Sequence, residues 1–115
     1  MVQNRNKLID LLIGNLYNAV LHRILEKAII QKKPEIAGGY NKEVKNSWEI
    51  AKSYREKINP KTNALPIEDM EFIRKKVINR VKSELLIRIS KGYENLRLDE
   101  VDAIVDIVMK EIKII

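Results

Sequence analysis

An all-α fold, a single-domain bundle of about four main helices occupying residues 1–115, is the architecture this sequence predicts. Apolar residues recur at three- and four-residue steps in four separate stretches, which is the period of one helix face. No stretch alternates with the two-residue period of a strand, and the three prolines fall between the periodic stretches. A length of 115 residues suits one domain with one core of moderate extent. Hydrophobic residues at 45% and charged residues at 33% put the chain in the globular class, because a disordered chain could not bury so much apolar surface.

The first helix is expected from Arg5 to Gln31. Ile9, Leu12, Ile13, Leu16, Val20 and Ile24 line one face, and Pro34 with Gly38-Gly39 ends the helix. Leu21, Leu25, Ala28 and Ile29 make a second apolar stripe on another side, leaving a narrow polar strip of Asp10, Asn15, Asn18, His22 and Glu26. One neighbouring helix cannot cover both stripes. Either this helix is the centre of the bundle, or Leu21, Leu25, Ala28 and Ile29 form a subunit interface.

Asn41 is the expected N-cap of a second helix reaching Ile58, with Val44, Trp48, Ala51, Tyr54 and Ile58 inward. Its outer face interleaves Lys42, Lys45 and Lys52 with Glu49 and Glu56, a solvated pattern that argues against phosphate binding. Asn59-Pro60 stops the helix, and a turn-forming connector runs through Leu65-Pro66.

The third helix follows Pro66 and runs to about Lys91. Glu68, Asp69 and Glu71 suit the positive end of its dipole, and Gly92 supplies a left-handed terminus. Met70, Ile73, Val77, Val81, Leu85 and Ile89 form its inward stripe. Arg74, Lys75, Lys76, Arg80, Lys82, Arg88 and Lys91 make it the most basic stretch, but they point in several directions, as a generally positive shell rather than one ridge. The last helix is expected from an Asp99 N-cap, with Glu100 and Asp102 in its first turn and Val101, Ile104, Val105, Val108 and Ile112 as its seam. The apolar Ile114-Ile115 end is unusual for a terminus, and lying on the core, meeting a partner, or continuing into a longer sequence would each account for it.

The net charge of +6 divides unevenly: residues 1–98 carry +9 and residues 99–115 carry −3. Such a surplus attracts nucleic-acid phosphates, and it equally suits an acidic protein partner. Cysteine is absent, which removes disulfides and thiolate chemistry. No apolar run is expected to approach the roughly 18 residues of a membrane span, and no signal-peptide pattern is present, so an intracellular, cytoplasmic protein without a membrane role is expected.

Catalytic residues are expected to be none. His22 is the single histidine, no cysteine pairs with it, and Ser47, Ser53, Ser83 and Ser90 lack a nucleophile-elbow context. His22 and Glu26 lie four apart on one helix face, but two ligands without a third are weak evidence for a metal, so no metal and no cofactor are expected. Gly38-Gly39 lacks the Gly-Lys-Ser/Thr ending of a phosphate loop, and no small-molecule substrate is expected. The tyrosines and Trp48 do not form a stacking platform with interleaved basic residues.

The order of a helix ending near Ile58, an Asn-Pro connector, then EDMEFIRKKVINRVKSELLIRISKG and NLRLDEVDAIVDIVMKEIK resembles the helical domain of archaeal GINS subunits. Tyr40 and Val44 in GGYNKEVKNSW are similar to the family's Asp-Phe-Tyr segment, with Gly38 and Gly39 in place of its acidic and aromatic residues. The likeness covers roughly residues 36–113. Val81 to Ile89 lacks the clustered arginines of the family's long helix, and no small β-rich second domain follows. The resemblance implies a non-catalytic scaffold of DNA replication that joins a hexameric helicase to a RecJ-like partner. It would contact protein subunits, of its own kind or replication-type, through Leu21, Leu25 and Ile29. Weak DNA contact would fall to Lys76, Arg80 and Arg88. Two other expectations stand beside it: a small basic nucleic-acid-binding accessory protein, and a structural homo-oligomer assembled through the first helix.

Overall fold

The computed structural model describes residues 5–29, 33–58 and 65–114. Four α-helices account for most of them: α1 (Arg5–Ile29), α2 (Pro34–Ile58), α3 (Ile67–Ser90) and α4 (Val101–Glu111), the last preceded by a 3-10 turn at Leu98–Glu100. No strand occurs among the described residues, and the fold is all-α. The predicted ends at Gln31, Asn59-Pro60 and Ile115 lie outside the described residues.

α1 is the central helix. It packs along α2 over most of its length and also meets α3 and α4, and α3 meets α4. This arrangement answers the two-stripe problem from within the chain. Leu12, Leu16, Val20, Leu21, Ile24 and Leu25 belong to one core cluster that also holds Ile73, Val77, Val81 and Leu85 of α3 and Val101, Val105 and Val108 of α4. Helices of 25 residues are about 37 Å long at 1.5 Å per residue. The 44 Å long axis of the molecule is therefore little more than one helix length.

The structure corrects the expected start of α2. Pro34 occupies the first helical position, where its fixed φ and missing N–H cost nothing, and the Lys33 carbonyl accepts the first bond from the Ala37 amide at 3.1 Å. Gly38 and Gly39, expected to break the chain, lie inside the helix. Tertiary contacts outweigh their low propensity: Ala37 is buried, the Tyr40 ring stands 5.8 Å from that of His22, and Asn41 Nδ2 donates to both Glu26 oxygens at 3.3 Å. Asn41 is thus an interhelical donor rather than an N-cap.

α3 ends as expected. The Tyr93 amide donates to the Arg88 carbonyl and the Gly92 amide to the Ile89 carbonyl, both at 3.0 Å, with Gly92 at φ +96°. Ile89, expected inside, is exposed. At α4 a 3-10 turn stands where the Asp99 cap was expected; there the Asp99 carboxylate accepts from Arg97 Nη2 at 3.0 Å instead of capping the helix, and Glu100 meets Lys27 of α1. The same two-bond terminus closes α4, but with Lys113 rather than glycine in the left-handed position at φ +60°. That turn folds Ile114 back into full burial, and the carbonyl of Lys113 accepts from Nε of the buried Arg55 at 2.9 Å. Of the three accounts of the apolar end, the core takes Ile114.

The membrane expectation also needs amending. α1 is long and apolar enough, by length and composition, to cross a membrane, and 56% of its most apolar window is buried inside the bundle. The packing of α2, α3 and α4 around it is that of a core helix.

Candidate binding surface

Leu21 and Leu25, expected at a subunit interface, are each 3% exposed and belong to the core. They cannot serve as a contact surface while the chain is folded, because α1 is surrounded by the rest of the same chain. Ala28 and Ile29 are half-buried. With Leu25, Tyr40, Tyr93 and Leu96 they line a hollow of about 350 Å³ between the end of α1 and the segment after α3.

The basic residues are sorted by the acidic tail. Each of its five acids meets a cation of the preceding 98 residues: Asp99 meets Arg97, Glu100 meets Lys27, Asp102 meets Lys82, Asp106 meets Arg74 and Glu111 meets Arg23. Arg74 and Asp106 are joined through two parallel bonds of 2.7 and 3.2 Å, the strongest geometry of the set. The tail therefore neutralises the body it folds onto, and the cations it leaves over define the exposed charge.

Of the three residues expected near nucleic acid, Arg88 is engaged. Its Nε donates to Glu84 at 3.0 Å, and its guanidinium lies 5.3 Å from the centre of the Tyr93 ring. Lys76 and Arg80 have no carboxylate within ion-pair distance among the described residues. Both rest on rings: Lys76 Nζ is 5.6 Å from the Phe72 centroid, and the Arg80 guanidinium is 4.4 Å from that of Tyr17. Burial raises the Tyr17 phenol above its ordinary pKa, with Glu84 adding to the shift and Arg80 and Arg88 opposing it, so Tyr17 stays neutral beneath Arg80.

These side chains share the outer face of α3. Phe72, Lys76, Asn79, Ser83 and Leu86 recur at three- and four-residue steps on the side away from Ile73, Val77, Val81 and Leu85. Between this face and Tyr17 of α1 runs an open groove of about 390 Å³, bordered by Lys76, Asn79, Arg80, Ser83 and Ile87. Phe72, Leu86 and Ile87 are about half exposed, at 48%, 54% and 48%. α3 provides five of the nine large apolar side chains exposed among the described residues, so apolar surface is concentrated on the helix that also holds Lys76 and Arg80.

Sequence reasoning passed over Phe72, Leu86 and Ile87. The four-residue spacing of Phe72 and Lys76 was a legible signal, whereas the approach of Tyr17 to Arg80 depends on how α1 and α3 pack. The pairing of His22 and Glu26 as metal ligands has no support from the geometry. His22 Nδ1–H donates to the Asn18 carbonyl at 2.8 Å, and Glu26 accepts from Asn41. No group of three or more histidine or acidic side chains that could hold a metal occurs among the described residues.

The chain is thus an all-α helical bundle whose exposed chemistry is a basic and apolar helix face. Comparison with family models, with curated proteins and with solved structures yields no match.

Proposed function

We propose that this protein is a non-catalytic binding or scaffolding subunit of a nucleic-acid-processing assembly inside the cell, in keeping with the resemblance to archaeal GINS helical domains. The observation that carries this reading is the outer face of α3. There Lys76 and Arg80 remain without carboxylate partners beside exposed Phe72, Leu86 and Ile87, although the tail neutralises five other cations. Exposed apolar residues interspersed with charge mark contact surfaces more often than reaction centres. The lone histidine and the absence of cysteine support a binding role rather than a catalytic one. The test is purification from the native cell after nuclease treatment, with partners identified by mass. Stoichiometric partners of a replication or other nucleic-acid-processing assembly are expected. Recovery without such partners would overturn the reading.

The same two cations favour a second reading, in which the chain itself touches DNA. With Lys76 and Arg80 as the phosphate contacts, log affinity for duplex DNA would fall against log salt with a slope of about −2. A titration showing no binding at low salt would remove it. The homo-oligomer reading keeps only the half-buried Ala28 and Ile29 of its expected contact, since the core encloses Leu21 and Leu25.

A further inference from the structure

We infer that the outer face of α3 is the docking site for an acidic amphipathic helix of a partner protein, laid along Phe72, Lys76, Arg80, Leu86 and Ile87. The inference rests on the binding-subunit reading and names the chemistry of its partner.

The spacing comes first. From Phe72 to Ile87 the face runs 15 residues, about 22 Å of helix axis, with apolar anchors at both ends and cations between them. That layout matches a partner helix of about four turns, whose apolar stripe would meet Phe72, Leu86 and Ile87 and whose flanking carboxylates would meet Lys76 and Arg80. Asn79 and Ser83, lying between, add short polar side chains that leave the groove shallow.

Charge then selects among occupants. A second copy pairing this face across a two-fold axis would match Phe72 with Leu86 and Ile87. The axis would then pass near residues 79 and 80, so Arg80 would confront the Arg80 of the other copy. Like charges at the centre of an interface disfavour that pairing. Nucleic acid would satisfy the cations and leave Leu86 and Ile87 without apolar contact. Base stacking is also hindered, because Lys76 and Arg80 lie over the Phe72 and Tyr17 rings. An acidic amphipathic helix satisfies both parts of the face. The molecule already shows the charge logic in its own acidic α4, whose Asp102 and Asp106 hold Lys82 and Arg74 on another side of α3. Glu84 borders the groove, but Arg88 compensates it.

The experiment uses the whole chain and synthetic peptides of about 20 residues, a length that covers the face. One peptide carries leucines at i, i+3, i+4 and i+7 flanked by glutamates; a second has the same composition scrambled; a third replaces glutamate by lysine; a short DNA duplex is the competitor. The acidic amphipathic peptide is expected to bind saturably and to shift the amide signals of Phe72, Lys76, Arg80, Leu86 and Ile87. Lys76→Glu with Arg80→Glu should weaken it by about tenfold or more and transfer binding to the lysine peptide. Phe72→Ser should weaken it without that transfer, the thermal melt of each variant showing that the fold persists. No saturable binding, equal binding of the scrambled peptide, shifts on another surface, or preference of this face for the duplex would each overturn the docking site. A native complex that survives Lys76→Glu with Arg80→Glu would overturn it too, while leaving the scaffolding reading intact. Loss of that reading shows separately, as the absence of nucleic-acid-processing partners.

Discussion

Leu25 illustrates how one side chain changes meaning with its surroundings. As part of an unpaired stripe it is a contact residue; enclosed by the chain it is core. The two roles make different predictions. Leu25→Ala should cost about 2–4 kcal/mol of stability in chemical denaturation and leave the sedimentation of the folded protein unchanged. Asp69 provides a second test at this scale. Hydrogen bonding from Arg5 holds its carboxyl below the ordinary carboxylate pKa, with burial opposing the shift. A depressed folded-state pKa contributes stability above the unfolded pKa and loses it as pH falls through the folded one. Between about pH 5 and pH 2, then, wild type should lose more stability than Asp69→Asn. The difference should stay under about 1 kcal/mol because the pair is solvent-screened. Arg55 is a third residue whose role is tertiary. At 2% exposure it donates to the Lys113 carbonyl, and burial lowers its pKa. Its spacing of four from Ala51 puts it on the inward face of α2, but only the fold supplies the Lys113 carbonyl that accepts its hydrogen bond there.

At the scale of elements, the glycines separate local from tertiary control. Gly92 adopts φ +96° to close α3, a conformation that a side chain strains, so its position after a periodic stretch was sufficient to place the helix end. Gly38 and Gly39 are helical, with open space where a Cβ would stand. Gly38→Ala and Gly39→Ala should each stabilise the protein by about 0.5–1 kcal/mol, whereas Gly92→Ala should destabilise it by a similar amount, all read as shifts in the thermal midpoint. The start of α2 was misplaced because adjacent glycines signal a break locally. The helix persists because Ala37, Tyr40 and Asn41 are held against α1. The bounds of α3 were legible because its proline, acidic first turn and terminal glycine all act within a few residues of the ends.

For the whole molecule, the division between a basic body and an acidic tail becomes an internal clamp, with every acid of residues 99–114 on a cation of the body. This limits what the net charge says about partners: Arg74 and Lys82 are spoken for, while Lys76 and Arg80 are available. Asp102→Asn with Asp106→Asn would release two further cations. Duplex DNA retention should then increase at low salt, and the log–log salt slope should steepen from about −2 toward −4. Unchanged retention and slope would show that these cations do not reach phosphate.

The sequence by itself determined the helical class, most of the inward stripes of α3 and α4, Ile89 excepted, and the end of α3, because hydrophobic period and chain punctuation act over a few residues. The tertiary structure decided which stripe of α1 was covered, that α2 begins at Pro34, where the acidic tail spends its charge and which cations stay exposed. Those outcomes depend on distances between residues far apart in the chain. A helical period states which side chains share a face, and only packing states what that face meets.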